Sequence, residues 1–257
     1  MHLLLLLRTM STPHSVRTST HPRSPTLHTA TITHILTLSP HLRQIILSSP
    51  SPIPHKPGQW IDLHLPSLPQ PGGFTITSPP SSSSSSPTLS LSIRAAPENP
   101  AAAWLWQKQE DVLGKEVKVR VGGAFVFPPP GVDRGEVERV VMLAGGVGVN
   151  PFLSMVGWIR GDEEWGGVEV RVLWSGRVGE FVGGEVLRGV VEVFETDGNG
   201  GGRIKREDLE RVVKEEEEEA GKTLVFVCGP KGFAEFCMGA LEEMGVEMGR
   251  VYCEKWW

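Results

Sequence analysis

The sequence predicts two domains: an antiparallel β-barrel over residues 29–130, then an α/β domain with a parallel sheet over residues 136–257. Three observations carry that expectation. Short stretches of β-branched and apolar residues, punctuated by turns, fill the first half, as in small all-β units. Apolar strands alternate with helical stretches in the second half, the pattern of a parallel sheet covered on both faces. Between the halves, Pro128-Pro129-Pro130-Gly131 interrupts the chain where one pattern gives way to the other.

The elements follow in order. Residues 1 to about 26 are rich in Ser, Thr, His and Arg and contain no acid, a composition that suits a mitochondrial leader. The apolar run at residues 3–7 is too short for a transmembrane helix, and Pro13, Pro22 and Pro25 limit any helix to the first dozen residues. Strands are expected at residues 30–38, 42–47 and 60–65, separated by Ser39-Pro40-His41 and by Pro57-Gly58. The serine run at 81–86, flanked by Pro79, Pro80 and Pro87, reads as a flexible loop. In the second domain, strands are expected at 137–143, 168–174, 190–195 and 224–227, and helices at 151–159, 180–187, 205–219 and 233–244. The glutamates at 215–219 read as the solvated end of a helix.

Charge and histidine are unevenly spread. The net charge is −5, yet no Asp or Glu precedes Asp62. Residues 1–60 hold five of the 25 basic residues, so the remainder sets 20 cations against 30 acids. A net acidic chain with dispersed basic residues is a poor nucleic-acid binder. All eight histidines lie at or before His64. A catalytic triad needing histidine is therefore excluded from the last three quarters, and no HExxH zinc motif exists. Cys228, Cys237 and Cys253 are too few for a four-ligand zinc or iron–sulfur site and form no disulfide framework, which fits a reducing compartment.

The first chemical signal is a strand, a glycine-rich turn and a helix over residues 137–159. Such a turn lets a phosphate approach the backbone, and the helix offers free N–H groups with a favourable dipole. Gly145, Gly146, Val147, Gly148, Val149, Asn150 and Pro151 are the candidate nucleotide-binding residues. Pro stands where the dinucleotide fingerprint has its third glycine, so this is not the usual dehydrogenase loop, and no Lys-Ser/Thr pair makes it a Walker loop. The second strand ends at Ser175 and Arg177 without the acid that favours a free ribose 2′-hydroxyl; Arg177 is a candidate partner for a 2′-phosphate. The fourth strand ends at Cys228-Gly229-Pro230, at the carboxyl edge where ligands bind in open α/β sheets.

Taken together and in order, these residues resemble the ferredoxin–NADP reductase superfamily, and within it the mitochondrial oxidoreductase NAD-binding domain-containing proteins. Pro57-Gly58-Gln59-Trp60 resembles the family's PGQ-aromatic strand start, and Gly72-Gly73-Phe74-Thr75-Ile76-Thr77-Ser78 stands where its flavin motif is expected. Val119-Arg120-Val121-Gly122-Gly123-Ala124-Phe125 resembles the strand that closes the barrel, residues 144–151 and Cys228-Gly229-Pro230 the two nucleotide loops, and Glu254-Lys255-Trp256-Trp257 the ending of the subgroup. The resemblance spans residues 29–257.

It implies FAD or FMN in the barrel, NAD(P)H in the α/β domain, and hydride transfer from nicotinamide C4 to flavin N5. The protein's task would then be alignment, which needs no histidine. By resemblance, Phe74 packs against the isoalloxazine beside Ile76, and Thr75 offers a hydroxyl near N5. Cys228 contacts the nicotinamide, and Trp256 or Trp257 stacks on the open flavin face. Thr75, Cys228 and Trp257 are thus the implied catalytic residues, and no metal is implied. Electrons would leave to a separate, unidentified acceptor.

Two departures stand out. Gly72 and Phe74 replace the family's Arg and Tyr, and no Arg or Lys lies between Lys56 and Arg94. The family's Gly-x-x-Ser helix start is replaced by Pro100-Ala101-Ala102-Ala103-Trp104. Losing two charge-assisted phosphate contacts weakens flavin binding by ~10²–10⁴-fold; Arg94 is the candidate substitute. The competing reading is a non-enzymatic NAD(P)-binding assembly or sensing protein on a decayed reductase scaffold. A stand-alone Rossmann alcohol dehydrogenase fits worse, lacking the third glycine, the acidic ribose contact and a downstream His or Tyr-x-x-x-Lys.

Overall fold

The structure, a computed structural model, describes residues 14–80, 87–196, 202–213 and 221–256. Six antiparallel strands form the first sheet: β1 (His28–Ser39), β2 (Leu42–Ser48), β3 (Trp60–His64), β4 (Gly72–Thr75), β5 (Thr88–Arg94) and β6 (Glu116–Gly122). They lie in the order β4-β3-β6-β1-β2-β5. The sheet curls around a core that includes Ile32, Ile45, Ile61, Leu63, Leu91 and Val119, but it is barrel-like rather than closed. Its edges, β4 and β5, meet through the Ile76–Leu91 bridge, through Thr77, whose N–H and hydroxyl both donate to the Ser90 carbonyl at 2.8 and 2.9 Å, and through Ser78 Oγ, which accepts from Ser90 N–H at 3.1 Å. The reason is local: β4 is four residues long and Pro79-Pro80, which donate no backbone hydrogen bond, follow soon after.

Five parallel strands form the second sheet: β7 (Arg139–Gly145), β8 (Glu169–Gly176), β9 (Val191–Glu195), β10 (Thr223–Cys228) and β11 (Val251–Glu254). Their order is β11-β10-β7-β8-β9. The central strands β7 and β10 are apolar and buried almost throughout because both faces are covered. Alternate residues serve opposite layers. Val140, Met142, Ala144, Leu224 and Phe226 join the core that includes α4 (Asn150–Gly161). Val141, Leu143, Val225 and Val227 join the core beneath α5 (Arg206–Val213) and α6 (Lys231–Glu243). The residues linking the two sheets belong to the second core: Phe125 and Phe127 pack against Phe226.

Three expectations change. Residues 180–187 form turns rather than a helix, because Gly183 adopts φ +118, which breaks a right-handed helix. β11 is a strand that the sequence reading did not foresee. Two short helices, α2 (Pro100–Leu105) and α3 (Gln109–Val112), cap the barrel between β5 and β6. The serine run at 81–86, the glutamates at 215–219, residues 1–13 and Trp257 lie outside the described residues.

From His14 onward the N-terminal segment is packed onto both domains. Its one turn of helix, α1 (His14–Arg17), precedes a stretch in which Arg23 bridges to Gly122 of β6. The anchor is Asp62 on β3, a buried carboxylate. It accepts hydrogen bonds from His14 Nε2 at 3.1 Å, from Arg23 Nε at 2.8 Å, and from Arg120 Nε and Nη2 at 3.1 and 2.8 Å. Burial alone would raise the Asp62 pKa, but the bonds from His14, Arg23 and Arg120 outweigh it and hold the carboxyl well below the usual range. Trp60 completes the seat, with the His14 ring edge-on at 4.8 Å and the Arg23 guanidinium 5.0 Å above it. A leader ending near residue 26 would take these contacts with it.

Removing the Asp62 carboxylate takes away the shared acceptor of His14, Arg23 and Arg120, a loss on the order of 1.5–3 kcal/mol. Asp62→Ala is therefore expected to lower the denaturant midpoint sharply. In the parent protein the ionised carboxylate stabilises the fold above its unfolded pKa of about 3.8, and this contribution declines as pH falls below that value. Chemical denaturation at pH 7 and at pH 3 checks both statements; equal midpoints for variant and parent at pH 7 would show that the cluster is not an anchor.

Candidate functional site

In the parallel sheet the chain runs from β7 to β8 on one side, and later returns to place β10 on the other side of β7. Strand order therefore reverses between β7 and β10, and ligands in such sheets bind outside the carboxyl ends of the strands at that reversal. Here the two loops that leave β7 and β10 face β4, β5 and α2 of the barrel across a cavity of about 390 Å³.

The loops fit together because they lack side chains. A Cβ at Gly148 would drive into the Cys228 carbonyl, and one at Gly229 would meet the Phe233 ring at 2.6 Å and the Gly145 backbone at 3.0 Å. Gly146 differs: its φ is +54 and nothing lies within 4 Å of its would-be Cβ. Its carbonyl accepts from Trp174 Nε1 at 2.9 Å, which fixes the loop from behind. Of the loop glycines, Gly146 leaves open space for a ligand, whereas Gly148 and Gly229 hold the two loops in contact.

Asn150, at the start of α4, ties the domains together. Its Nδ2 donates to the Ser92 carbonyl on β5 at 2.9 Å, and one turn later Ser154 Oγ donates to the Ser78 carbonyl at 2.8 Å. Asn150 Oδ1 and Ser92 Oγ are left buried without partners, as is Nε of Arg17. All three residues line the cavity. Theirs are three of the nine such atoms among the described residues, and their gathering at one cavity is what a ligand that completes the hydrogen bonding would require. The lining also carries Arg94 and Lys231 and, among the described residues, no Asp or Glu, in a chain of net charge −5. Phe74 and Trp256 supply aromatic walls.

No protein-family model matches the chain. It aligns with Oxidoreductase NAD-binding domain-containing protein 1 from Bos taurus at 28% identity, over 95% of this chain and 85% of that protein. The Homo sapiens protein of the same name aligns at 27% identity over 96% of this chain and 85% of its own length. Among solved structures, the ferredoxin NADP+ reductase from Neisseria gonorrhoeae with bound FAD and NADP superposes with a TM-score of 0.72. It shares 18% identity and covers 91% of this chain and 100% of that one. The fold is that of the ferredoxin–NADP reductases. The proteins named Oxidoreductase NAD-binding domain-containing protein 1 are homologues of this chain over nearly its whole length.

Within this reductase fold the sequence-selected residues divide. Phe74, Thr75 and Arg94 line the cavity from the barrel. Gly145, Gly146, Val147, Gly148 and Asn150 line it from the first loop, and Cys228, Gly229 and Pro230 from the second. Ile76, Val149 and Pro151 are buried and away from the cavity lining; Ile76 packs in the barrel core and Val149 in the sheet core. Ser175 and Arg177 lie beyond the lining: Ser175 is on β8, in register with Gly145, and Arg177 follows the end of that strand. Trp257 is outside the described residues, and Trp256 is the terminal aromatic at the cavity.

The Cys228 thiol is fully neutral at physiological pH, since burial and the neighbouring Glu254 push its pKa well up. It can contact a ligand as a small, polarisable group but not as a thiolate. Sequence reading missed Arg17, Ser92, Asn99 and Lys231 in the lining, and Glu254 beside it. Asn99 caps α2, its Oδ1 accepting from Ala101 and Ala102 N–H at 3.1 and 3.2 Å. Glu254 lies in register with Cys228 on the neighbouring strand, and burial pushes its carboxyl up to about 8. An acidic strand end next to a Cys-Gly-Pro loop is visible in sequence, but its neighbour relation comes only from the sheet.

Two outcomes are expected. Gly148→Ala separates the loops and lowers the melting temperature, whereas Gly146→Ala costs only the strain of a left-handed residue, ~1–2 kcal/mol, and shows its effect in ligand affinity. Thermal melts paired with NADH titration distinguish them. Glu254 favours the folded state most when protonated, so its contribution is full below about pH 4.5 and falls as pH rises toward 8. Relative to the parent, Glu254→Gln is expected to gain stability between pH 5 and pH 8, read as a melting-temperature difference that moves in its favour. A difference independent of pH would refute the raised pKa.

Proposed function

We propose that this protein is an NAD(P)H-dependent flavin oxidoreductase that passes electrons to an acceptor outside the chain. The observation that carries this reading is the cavity where the barrel meets the strand-order reversal, lined by cations, by aromatic rings and by three residues that each hold an orphaned polar atom. The relatives named as NAD-binding oxidoreductases support it, as does the neisserial reductase whose structure holds FAD and NADP.

The residues fit a flavin and a nicotinamide nucleotide. When bound, these groups supply hydride transfer and onward electron delivery. Phe74 and Trp256 would hold flat aromatic surfaces, and the hydroxyl of Thr75 would donate at the end of β4. The open face of Gly146 would admit phosphate to the first loop. Asn150 and Ser154 hold the two domains in fixed relation, so ligands on opposite walls meet without a search for alignment. The neutral Cys228 thiol adds no negative charge to the second loop, and Phe74, Val147 and Trp256 give the cavity its apolar lining.

Ser175 sits beside the first loop and Arg177 just past the end of β8, neither lining the cavity, so preference for NADH or NADPH would be set at the periphery of the site.

The visible spectrum tests the reading. Protein reconstituted with FAD or FMN is expected to be yellow and to bleach on adding NADH or NADPH under anaerobic conditions. A colourless protein that binds NADH yet takes up no flavin would sink the reductase reading in favour of a non-enzymatic nucleotide binder.

A further inference from the structure

The barrel strand that carries the expected flavin motif has no cation. In place of an Arg it has Gly72, and the structure explains why a side chain cannot return there: a Cβ at Gly72 would collide with Ala101 of α2 and the Phe74 ring. The next position is closed as well, because a Cβ at Gly73 would enter the His14 ring. The space over this strand is thus occupied by α1, which the His14 and Arg23 bonds to Asp62 hold in place. α1 also carries an arginine. Arg17 lies one turn beyond His14, lines the cavity, and donates from Nη1 to the Trp256 carbonyl.

We propose that Arg17 is the phosphate anchor of the cavity, delivered to it by the N-terminal segment in place of the arginine that the barrel strand lacks. The ligand chemistry is the phosphate of a nucleotide, carried by either the flavin or the nicotinamide cofactor; the proposal rests on the functional reading above. Three features support Arg17 over the other cations. Its Nε is buried and without a partner, so a donor remains available. Arg94 is exposed to solvent, and Lys231 is within 3.8 Å of Glu235. Among the described residues no acid lines the cavity, so none of them competes there for Arg17. Burial lowers the Arg17 pKa, yet a guanidinium remains charged at neutral pH. A cation that has already lost water gains more from an incoming phosphate than a solvated one.

The proposal makes residues 14–23 part of the binding site. Any processing that removed them would remove the anchor together with its Asp62 mount.

The test compares ligands that differ by a phosphate. Parent and Arg17→Ala full-length proteins, stripped of bound nucleotide, are titrated with riboflavin, FMN and NADH, and their ligand-free melting temperatures are recorded. One lost charge-assisted contact is expected to weaken FMN ~10–100-fold while riboflavin stays within about twofold. If NADH weakens by that factor and FMN does not, the phosphate held is that of the nicotinamide nucleotide and the assignment of Arg17 stands. Unchanged affinities for FMN and NADH overturn it, and so does a parallel loss of riboflavin and FMN, which would mean that Arg17 acts only by holding Trp256. Should Arg17→Ala fail to fold, Arg17→Gln keeps a donor for the Trp256 carbonyl without the charge and carries the same comparison. A parent protein that binds neither riboflavin, FMN nor NADH defeats the functional reading itself, a result distinct from parent-like binding by the variant.

Discussion

A single buried carboxylate organises the N-terminal side of this molecule. Asp62 is the first acid in the chain, and it stands on a barrel strand beneath three basic side chains drawn from residues 14, 23 and 120. In a medium of low polarity such a group is stable only if its partners stay in place. The partners therefore fix α1, and α1 fixes what covers β4. The glycines at 72 and 73 are the counterpart of this arrangement: they leave the strand bare so that α2 and His14 can lie on it. The C-terminus joins the same assembly, with the Trp256 ring stacked 5.6 Å from His14. Both ends of the described chain thus converge beside the cavity.

The α/β side is governed by a different constraint, close approach of backbone to backbone. Gly145, Gly148 and Gly229 let the loops after β7 and β10 touch, and Trp174 braces them from below. A glycine-rich loop in a nucleotide-binding domain invites the thought that every glycine faces a phosphate. Here most of them face another loop, and Gly146 is the one with open space. The ligand side of the site is correspondingly narrow, and its polar equipment comes from elsewhere: Asn150, Ser92 and Arg17.

The two-domain pattern was legible in the sequence because it rests on local signals. Continuous apolar runs marked β7 and β10, alternation marked β1 and β3, and the Gly-rich turn followed by Pro151 marked the start of α4. Eleven of the selected positions converge on one cavity, since they sit at strand ends that the sheet order brings together. What stayed hidden were relations between distant segments. Composition alone does not reveal that a carboxylate 39 to 48 residues away receives hydrogen bonds from Arg23 and His14. The parallel pairing of Glu254 with Cys228 depends on β11, a strand too short to announce itself in the sequence. Residues 180–187 looked helical because the pattern of apolar residues outweighed Gly183, whose positive φ decides the matter.

Phe125 and Phe127 give the architecture one further property. They follow the last barrel strand directly, yet their rings are part of the aromatic cluster under the parallel sheet, together with Leu42 from the barrel's β2. The two domains therefore share hydrophobic core across their covalent connection. Neither half can separate without exposing rings that belong to the other, so the expected behaviour is a single cooperative unfolding unit rather than two modules on a hinge. Dissecting the chain at the proline run would cut behind those rings, leaving them on the barrel fragment and a vacancy in its partner.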